Sequence, residues 1–286
     1  AARQCVLTAG AIERPMVFGD NDRPGVMLAS AVRTYVNRYA VAPGQRAVVF
    51  TDNDDGWSTA RDLLAAELPV AAVVDTRGED VVNRLAATLP KVVAIPGEIV
   101  RAVGGKSVQA VEVMTPKGSL RRIECDLVAM SGGWTPTLHL TSHRGQRPKW
   151  DESRQVFVPD GLPPGMRVAG AANGEFTLRE ALHSGLHAGL EAAAAAGKQG
   201  LPAPVPQVDD ETSAREPHWR SRHARGKCFV DFQNDVTTAD IDLAEREGYR
   251  SVEHLKRYTT LGMATDQGKT SNVTAIALVA ERTGRS

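Results

Sequence analysis

Apolar positions first cluster in Gln4–Leu7, a short run that meets the small-residue turn Thr8-Ala9-Gly10-Ala11 and reads as a buried strand. A loop rich in turn formers follows, from Glu13-Arg14-Pro15 to Asp22-Arg23-Pro24-Gly25. A helical stretch is predicted over Val26 to Arg38, and Pro43-Gly44 breaks it. From Arg46 the pattern alternates between strand and helix. Arg46–Phe50 is a strand, Trp57–Leu68 a helix, Val70–Val74 a strand ending on Asp75, Glu79–Leu89 a helix and Val92–Ile95 a strand. Val108–Met114 and Leu120–Ile123 read as hairpin strands about Pro116-Lys117-Gly118, and Asp126–Met130 is an apolar strand ending in Ser131-Gly132-Gly133-Trp134. Strands alternating with helices imply right-handed crossovers and a parallel sheet.

From His139 to Pro164 the text is irregular. Met166–Ala169 is a predicted strand, and Gly170-Ala171-Ala172-Asn173-Gly174 leads into a long helix from Phe176 to about Ala196. Leu201 to Pro206 is a proline-rich extended linker. Beyond it, Thr237-Thr238-Ala239-Asp240 matches a capping box, and Ser251 and Ser271 are candidate caps of two further helices. The tail thus reads as a separate helical module.

Composition narrows the function. In 286 residues, 34 basic and 34 acidic side chains cancel, which argues against phosphate-backbone recognition and so against nucleic acid. No apolar run approaches a membrane span, and nothing reads as a secretory leader. Cys5, Cys125 and Cys228 are odd in number and scattered, which fits neither a disulfide framework nor a metal site and suits a reducing cytoplasm. The chain begins Ala1-Ala2-Arg3-Gln4 and stops at Arg285-Ser286, and an excerpt of a longer protein is expected.

The turn after Phe50 is the most informative negative. A dinucleotide site wants glycines there, so that backbone can approach pyrophosphate. The chain has Thr51-Asp52-Asn53-Asp54-Asp55-Gly56. Each carboxylate about 4 Å from a phosphate would cost about 1–4 kcal/mol. The pattern predicts a retained fold with a dead nucleotide site, an unusual ligand being the alternative, and Asp75 has no cofactor to hold. The turns at Thr8-Ala9-Gly10 and Gly170-Ala171 suit close approach of a flat or phosphorylated ligand, or are merely tight turns. His183 and His187 lie four apart on a helix without a third ligand, which favours packing or surface roles. In the tail, Lys256, Arg257, Thr259, Lys269 and Thr270 have chemistry for a phosphate or a partner carboxylate, with a surface docking face as the other reading.

Two sets of residues then carry a resemblance. Thr8 to Pro15, Asp22 to Val26 and Pro43-Gly44 before a strand are similar to thioredoxin-reductase-like flavin and pyridine nucleotide oxidoreductases. Val230 to Thr237, Ser251 to Asn272 and Ser131 to Pro136 are more specific and resemble the alpha subunit of heterotetrameric sarcosine oxidase. That resemblance covers essentially the whole chain. It implies an α/β FAD/NAD(P)-binding Rossmann-like two-domain fold with one domain inserted in the other, followed by a small helical module. Residues 1–42 and 131–200 would form parts of the first nucleotide-binding domain and 43–130 the inserted second domain with its degenerate glycine loop. Residues 201–225 would be a linker and 226–286 the docking module.

The family implies an oxidoreductase of alpha, beta, gamma and delta subunits that converts sarcosine to glycine with hydrogen peroxide and formaldehyde or methylene-tetrahydrofolate. FAD would lie in the beta subunit, FMN at the alpha–beta interface, NAD in this subunit and tetrahydrofolate in a domain beyond this chain. Carried over, the NAD site takes Gly170, Ala171, Phe176, Thr177 and Leu178, beside the turn Thr8, Ala9 and Gly10. Ala171 stands where flavoenzymes have a ribityl-binding acid, which fits NAD rather than FAD. Lys256, Arg257, Thr259, Lys269 and Thr270 become candidates for the FMN-side interface. No catalytic acid, base or nucleophile and no metal ligand is assigned. A subunit of another amine or opine dehydrogenase, or a non-catalytic assembly subunit, are the alternatives.

Overall fold

The computed structural model describes residues 2–209, 211 and 213–284. In chain order the elements are β1 (Cys5–Leu7), β2 (Ala11–Glu13), β3 (Val26–Leu28), α1 (Ala29–Tyr39), β4 (Ala47–Thr51), α2 (Asp54–Ala65), β5 (Val70–Asp75), α3 (Glu79–Ala86), β6 (Ala94–Pro96), β7 (Glu98–Gly104), β8 (Val108–Met114), β9 (Leu120–Glu124) and β10 (Leu127–Ser131). They continue with β11 (Trp134–Pro136), β12 (Lys149–Asp151), β13 (Val156–Val158), β14 (Met166–Val168), a 3-10 turn (Gly170–Asn173), α4 (Leu178–Ala195), β15 (Phe229–Asp231), β16 (Val236–Thr237), α5 (Thr238–Arg246), α6 (Val252–Thr259) and α7 (Asn272–Thr283). Ala1–Ile12 with Trp134–Ser213 make one compact unit, and Glu13–Gly133 with Ala214–Ser286 make the other.

The second unit is organised by a parallel sheet in the order β3-β10-β4-β5-β6. Every residue of β4 and of β10 is buried, as expected of parallel strands covered on both faces. Side chains alternate between those faces. Ala47, Val49, Val73, Leu127 and Ala129 pack with Val32 of α1, Trp57, Ala60 and Leu63 of α2 and Val82 of α3. Val48, Phe50, Val74, Val128 and Met130 pack with Ile99, Ala102, Val111 and Val113 of the antiparallel layer β7-β8-β9. The helix predicted from Val26 begins three residues later, because Val26, Met27 and Leu28 pair with Val128, Ala129 and Met130 and become the edge strand.

The tail belongs to this unit. Val236, Ile241, Leu255, Leu261, Ala275 and Leu278 form its core, joined by Val17 and Cys228. The capping box at Thr237 is present: its hydroxyl meets the Asp240 carboxylate at 2.7 Å and its N–H donates to the same carboxylate at 2.8 Å. Ser251 and Ser271 stand at the N-caps of α6 and α7 without a side-chain cap bond.

The first unit holds the parallel pair β1–β14, the hairpin β12–β13 inside the segment that reads as irregular, and α4. Its buried apolar cluster is small: Leu7, Val168 and Ala172. The helix predicted from Phe176 starts at Leu178, because Thr177 caps it through a reciprocal box with Glu180.

Gly56 is the one glycine left in the degenerate loop, and it serves packing. A Cβ built there would stand 2.3 Å from Cβ of Thr51 and 2.4 Å from its Oγ1. Both belong to the buried end of β4, so neither can swing away. Gly56→Ala is expected to cost roughly 1–3 kcal/mol of stability by overpacking, read as a lower urea midpoint at unchanged slope.

Candidate functional site

In the first unit the parallel register pairs Cys5 with Met166 and Leu7 with Val168. The turns that follow β1 and β14 therefore emerge at the same, carboxyl, end of the pair. Topology thus brings Thr8-Ala9-Gly10 and Gly170-Ala171 to one edge, where α/β sheets bind their ligands. Gly10 and Gly170 both have positive φ (71° and 69°), and the Cβ position of Gly10 meets open space. The N-terminus of α4, with Thr177 and Leu178, follows directly.

The donors there are already engaged by acids that the sequence pattern does not single out. The Gly170 N–H lies 3.0 Å from Oε2 of Glu175 and 2.8 Å from Oγ of Ser184. The Leu178 N–H donates to Oε2 of Glu211 at 2.7 Å. Both helix-side N–H groups expected to meet a phosphate hold a carboxylate of the chain itself. Glu175 also takes the Asn173 amide at 3.2 Å. A carboxylate is an anion-site occupant by the same chemistry as phosphate, and these donors are engaged with acceptors of the chain itself.

In the second unit the three acids of the degenerate loop do not all face a ligand position. Asp54 pairs with Arg77 at 2.7 Å. Arg77 also holds Asp75 through Nη2 at 2.7 Å, and the Trp57 indole donates to the same carboxylate at 2.7 Å. The acid at the end of β5, where a ribose would be held, is thus consumed by two side chains. Burial works against the Arg77 charge, but its bonds to Asp75 and Asp54 outweigh it and hold its pKa above the ordinary value.

Asp52 is fully buried and turns toward a strap formed by residues 214–218. Its Oδ2 accepts the His218 N–H at 3.1 Å, its carbonyl accepts the Glu216 N–H at 3.1 Å, and Asn53 forms an antiparallel bridge with Arg215. Arg77 donates to the Ala214 carbonyl at 3.0 Å. The strap therefore lies across the carboxyl ends of the central strands, where pyrophosphate would run. Desolvation pushes Asp52 up to about 6 against the opposing hydrogen bond of Asn53 and the charge of Arg14, and desolvation pulls Arg14 down to about 10. Residues 214–218 of the chain itself thus lie over the degenerate loop. What sequence cannot display is this cover, which lies some 160 residues along the chain.

The tail motifs spend much of their polarity on their own loops. Asp231 accepts the N–H groups of Gln233 (2.9 Å), Asn234 (3.2 Å) and Gly262 (2.7 Å), and the Asn234 amide donates to the Thr260 carbonyl at 2.7 Å. Asp266 accepts Gly268 N–H at 3.0 Å and the Thr270 hydroxyl at 2.8 Å. Burial opposes the Asp266 charge, but these donors outweigh it and keep its pKa below the ordinary value. The Thr259 hydroxyl donates to the Leu255 carbonyl at 2.9 Å. Thr259 and Thr270 are thus structural in this state, while Arg257 and Lys269 are exposed and Lys256 is half-buried.

Among the described residues no three His, Cys, Asp or Glu side chains could hold one metal ion, and no helix is long and apolar enough to cross a membrane.

Residues 225–286 match the family described as the sarcosine oxidase A3 domain. Over its full length the chain is 45% identical to sarcosine oxidase subunit alpha of Rhizobium meliloti, 29% of which it covers. In sequence the chain is thus similar to the sarcosine oxidase alpha subunit. It spans about three-tenths of the length of that curated relative. Among solved structures it is similar to L-proline dehydrogenase from P. horikoshii, with a TM-score of 0.70 at 20% identity, covering 100% of this chain and 54% of that one. It is also similar to Lactococcus lactis thioredoxin reductase, with a TM-score of 0.50 at 17% identity, covering 66% and 65%. At those identities the likeness is one of fold. The fold class is α/β with a parallel sheet, as the strand and helix alternation predicts.

The Asp52 charge carries a stability signature. Because its folded pKa is raised above the ordinary 3.8, its favourable contribution is fully present in acid and is lost as pH rises through about 6, a change on the order of 3 kcal/mol. Asp52→Asn keeps the acceptor for His218 without the ionisation. The unfolding free energy of the unsubstituted protein should therefore fall relative to the variant between pH 4 and pH 7; parallel profiles would refute the raised pKa.

Proposed function

We propose that this chain is part of the alpha subunit of a sarcosine oxidase complex, which demethylates sarcosine to glycine with hydrogen peroxide and formaldehyde or methylene-tetrahydrofolate as products. The observation that carries the reading is 45% identity across 100% of the chain to a sarcosine oxidase alpha subunit. Its place in such a complex is a cofactor-binding and docking part. No residue described here is assigned to the amine oxidation, and beta, gamma and delta subunits are the partners this reading calls for.

NAD is the nucleotide proposed for the first unit. The fit rests on two turns at one carboxyl edge, positive-φ glycines at both, and the Gly170 and Leu178 N–H groups that already hold carboxylates. Glu175 would accept a ribose hydroxyl once its own hold on Gly170 is exchanged, and Thr177 positions the helix entry. FMN, when bound at the subunit interface, would supply the electron relay. The outward Arg257 and Lys269 are proposed to meet its phosphate or the partner that holds it. FAD belongs, in this reading, to the beta subunit, and tetrahydrofolate to a domain outside this chain.

Two measurements test this. Nucleotides released by denaturing the purified complex should be NAD together with flavin; flavin alone would remove NAD from the first unit. Arg257→Ala with Lys269→Ala should lower FMN content at least severalfold with no loss of folded protein by circular dichroism. Unchanged FMN occupancy and beta-subunit association would sink the interface assignment.

A further inference from the structure

Between Arg215 and Lys227 the chain has five Arg or Lys residues and one acid, Glu216. The second half of that stretch runs beside β7. The Arg222 and His223 N–H groups donate to Glu98, at the start of the strand, at 2.9 and 2.8 Å. The Arg225 N–H donates to the Val100 carbonyl at 3.2 Å, and the Lys227 carbonyl accepts the Asp20 N–H at 2.6 Å. The Asp20 carboxylate accepts the Lys227 N–H at 3.3 Å, and its neighbour Gly19 bridges to Arg101. The backbone from 222 to 227 is thus tied down at both ends and in the middle.

The acids of this region are spent on backbone, and the cations are left over. Glu98 and Asp20 hold N–H groups, and Asp20 also meets Arg23 at 3.5 Å. Arg222, Arg225 and Lys227 are exposed, and among the described residues their side chains form no ion pair. The adjoining layer adds charge of the same sign. Arg101, Glu112 and Arg122 stand in one cross-strand row of β7, β8 and β9. Glu112 bonds Arg101 at 2.9 Å, and Arg122 bonds Glu124 at 2.9 Å. The Glu112 carboxyl is held below its ordinary range, first by its bond to Arg101; against slight burial, the charges of Arg101, Arg225 and Arg122 act in the same direction. Glu112 is therefore shared among those guanidiniums, and Arg225 sits at the end of their row.

Like charges crowded on an ordered backbone repel one another. Carboxylates from outside relieve that repulsion, guanidiniums take them through paired N–H bonds, and little backbone order remains to be gained on binding. The stretch offers no exposed ring for a nucleic-acid base to stack on. Trp219, its one Phe, Tyr or Trp, is half-buried and lies under the Arg14 guanidinium, 5.1 Å from the ring centre.

We propose that the ridge of Arg222, Arg225 and Lys227, with Arg101 and Arg122 beside it, docks an acidic segment of a partner protein through its Asp and Glu side chains. The proposal uses no residue assigned to NAD or FMN and stands apart from those assignments. The probe is a fluorescent poly-L-glutamate of about 20 residues, titrated into the intact protein by anisotropy at about 50 mM salt, where surface charges are weakly screened. Saturable binding should be seen. Arg222→Gln, Arg225→Gln and Lys227→Gln together should weaken it about tenfold, the sum expected of three exposed ion pairs, and about 300 mM salt should weaken it as well. Removing the same charge from the helix side of the sheet, by Arg61→Gln, Arg84→Gln and Lys91→Gln, should leave the affinity within about twofold. Both variants replace exposed side chains and should keep the melting temperature. Affinity unmoved by the ridge variant, an equal loss in both variants, tighter binding of an oligothymidylate of the same length, or no binding at millimolar peptide would each overturn the proposal.

Discussion

Burying carboxylates at the carboxyl ends of a parallel sheet is the constraint that the second unit is built around. An ionised acid cannot leave water without compensation. Asp75 finds Trp57 and Arg77; Asp54 shares that arginine; Asp52 finds the Asn53 amide and the His218 N–H. Each solution fixes something larger than itself. Trp57 locks α2 on the sheet, Arg77 reaches the Ala214 carbonyl, and Asp52 draws residues 216 and 218 across the strand ends. Glu98 repeats the device farther along, holding residues 222 and 223 by their N–H groups. The strap from 214 to 223 is therefore pinned at two buried acids, and the tail that follows it enters its own core from a defined starting point.

The same constraint separates the two nucleotide-like halves. Where a cofactor loop has glycines, the second unit has acids, and acids without a bound cation recruit arginines and backbone N–H groups from their own chain. The site is then closed by satisfaction rather than by sterics. In the first unit the glycines persist at both turns, and the acids that reach the N–H groups, Glu175 and Glu211, come from positions outside the strands and helices. Glycines persist at the turns of the first unit, whereas buried, arginine-paired acids occupy the corresponding loop of the second.

Much of this was legible along the chain, and the gaps have physical reasons. β4, β5 and β10 announce themselves as continuous apolar runs because both faces are covered. The hairpin β8–β9 and the box at Thr237 depend on neighbours within a few residues, so local text suffices. β3 was concealed inside a helical pattern because Val26 to Leu28 owe their extension to β10, a hundred residues away. β7 carries turn signals at both ends, Pro96-Gly97 and Gly104-Gly105, but it is its pairing with β8, Arg101 with Glu112 included, that reveals it. In the site, the two glycine turns could be found by their residue types, and parallel pairing then placed them together. Arg77, Glu175, Glu98 and the strap could not be read the same way, because a charged side chain carries no mark of burial until its partner is known.

The tail shows how polar text divides between folding and recognition. Asp231, Asn234, Asp266 and Thr270 are the residues whose density suggests a binding motif, and each is used to bend the chain between 259 and 272. Gly262 and Gly268, both with positive φ, allow that bend, since a Cβ at either would strike the Asn272 side chain. An acid or hydroxyl can satisfy its hydrogen bonds against nearby backbone. A long, exposed cation gains little from doing so. The loop thus consumes the short polar residues and leaves Arg257 and Lys269 outward on a rigid support. On the proposed reading of this face, the backbone that carries those cations is already ordered by the loop's own hydrogen bonds before any partner arrives.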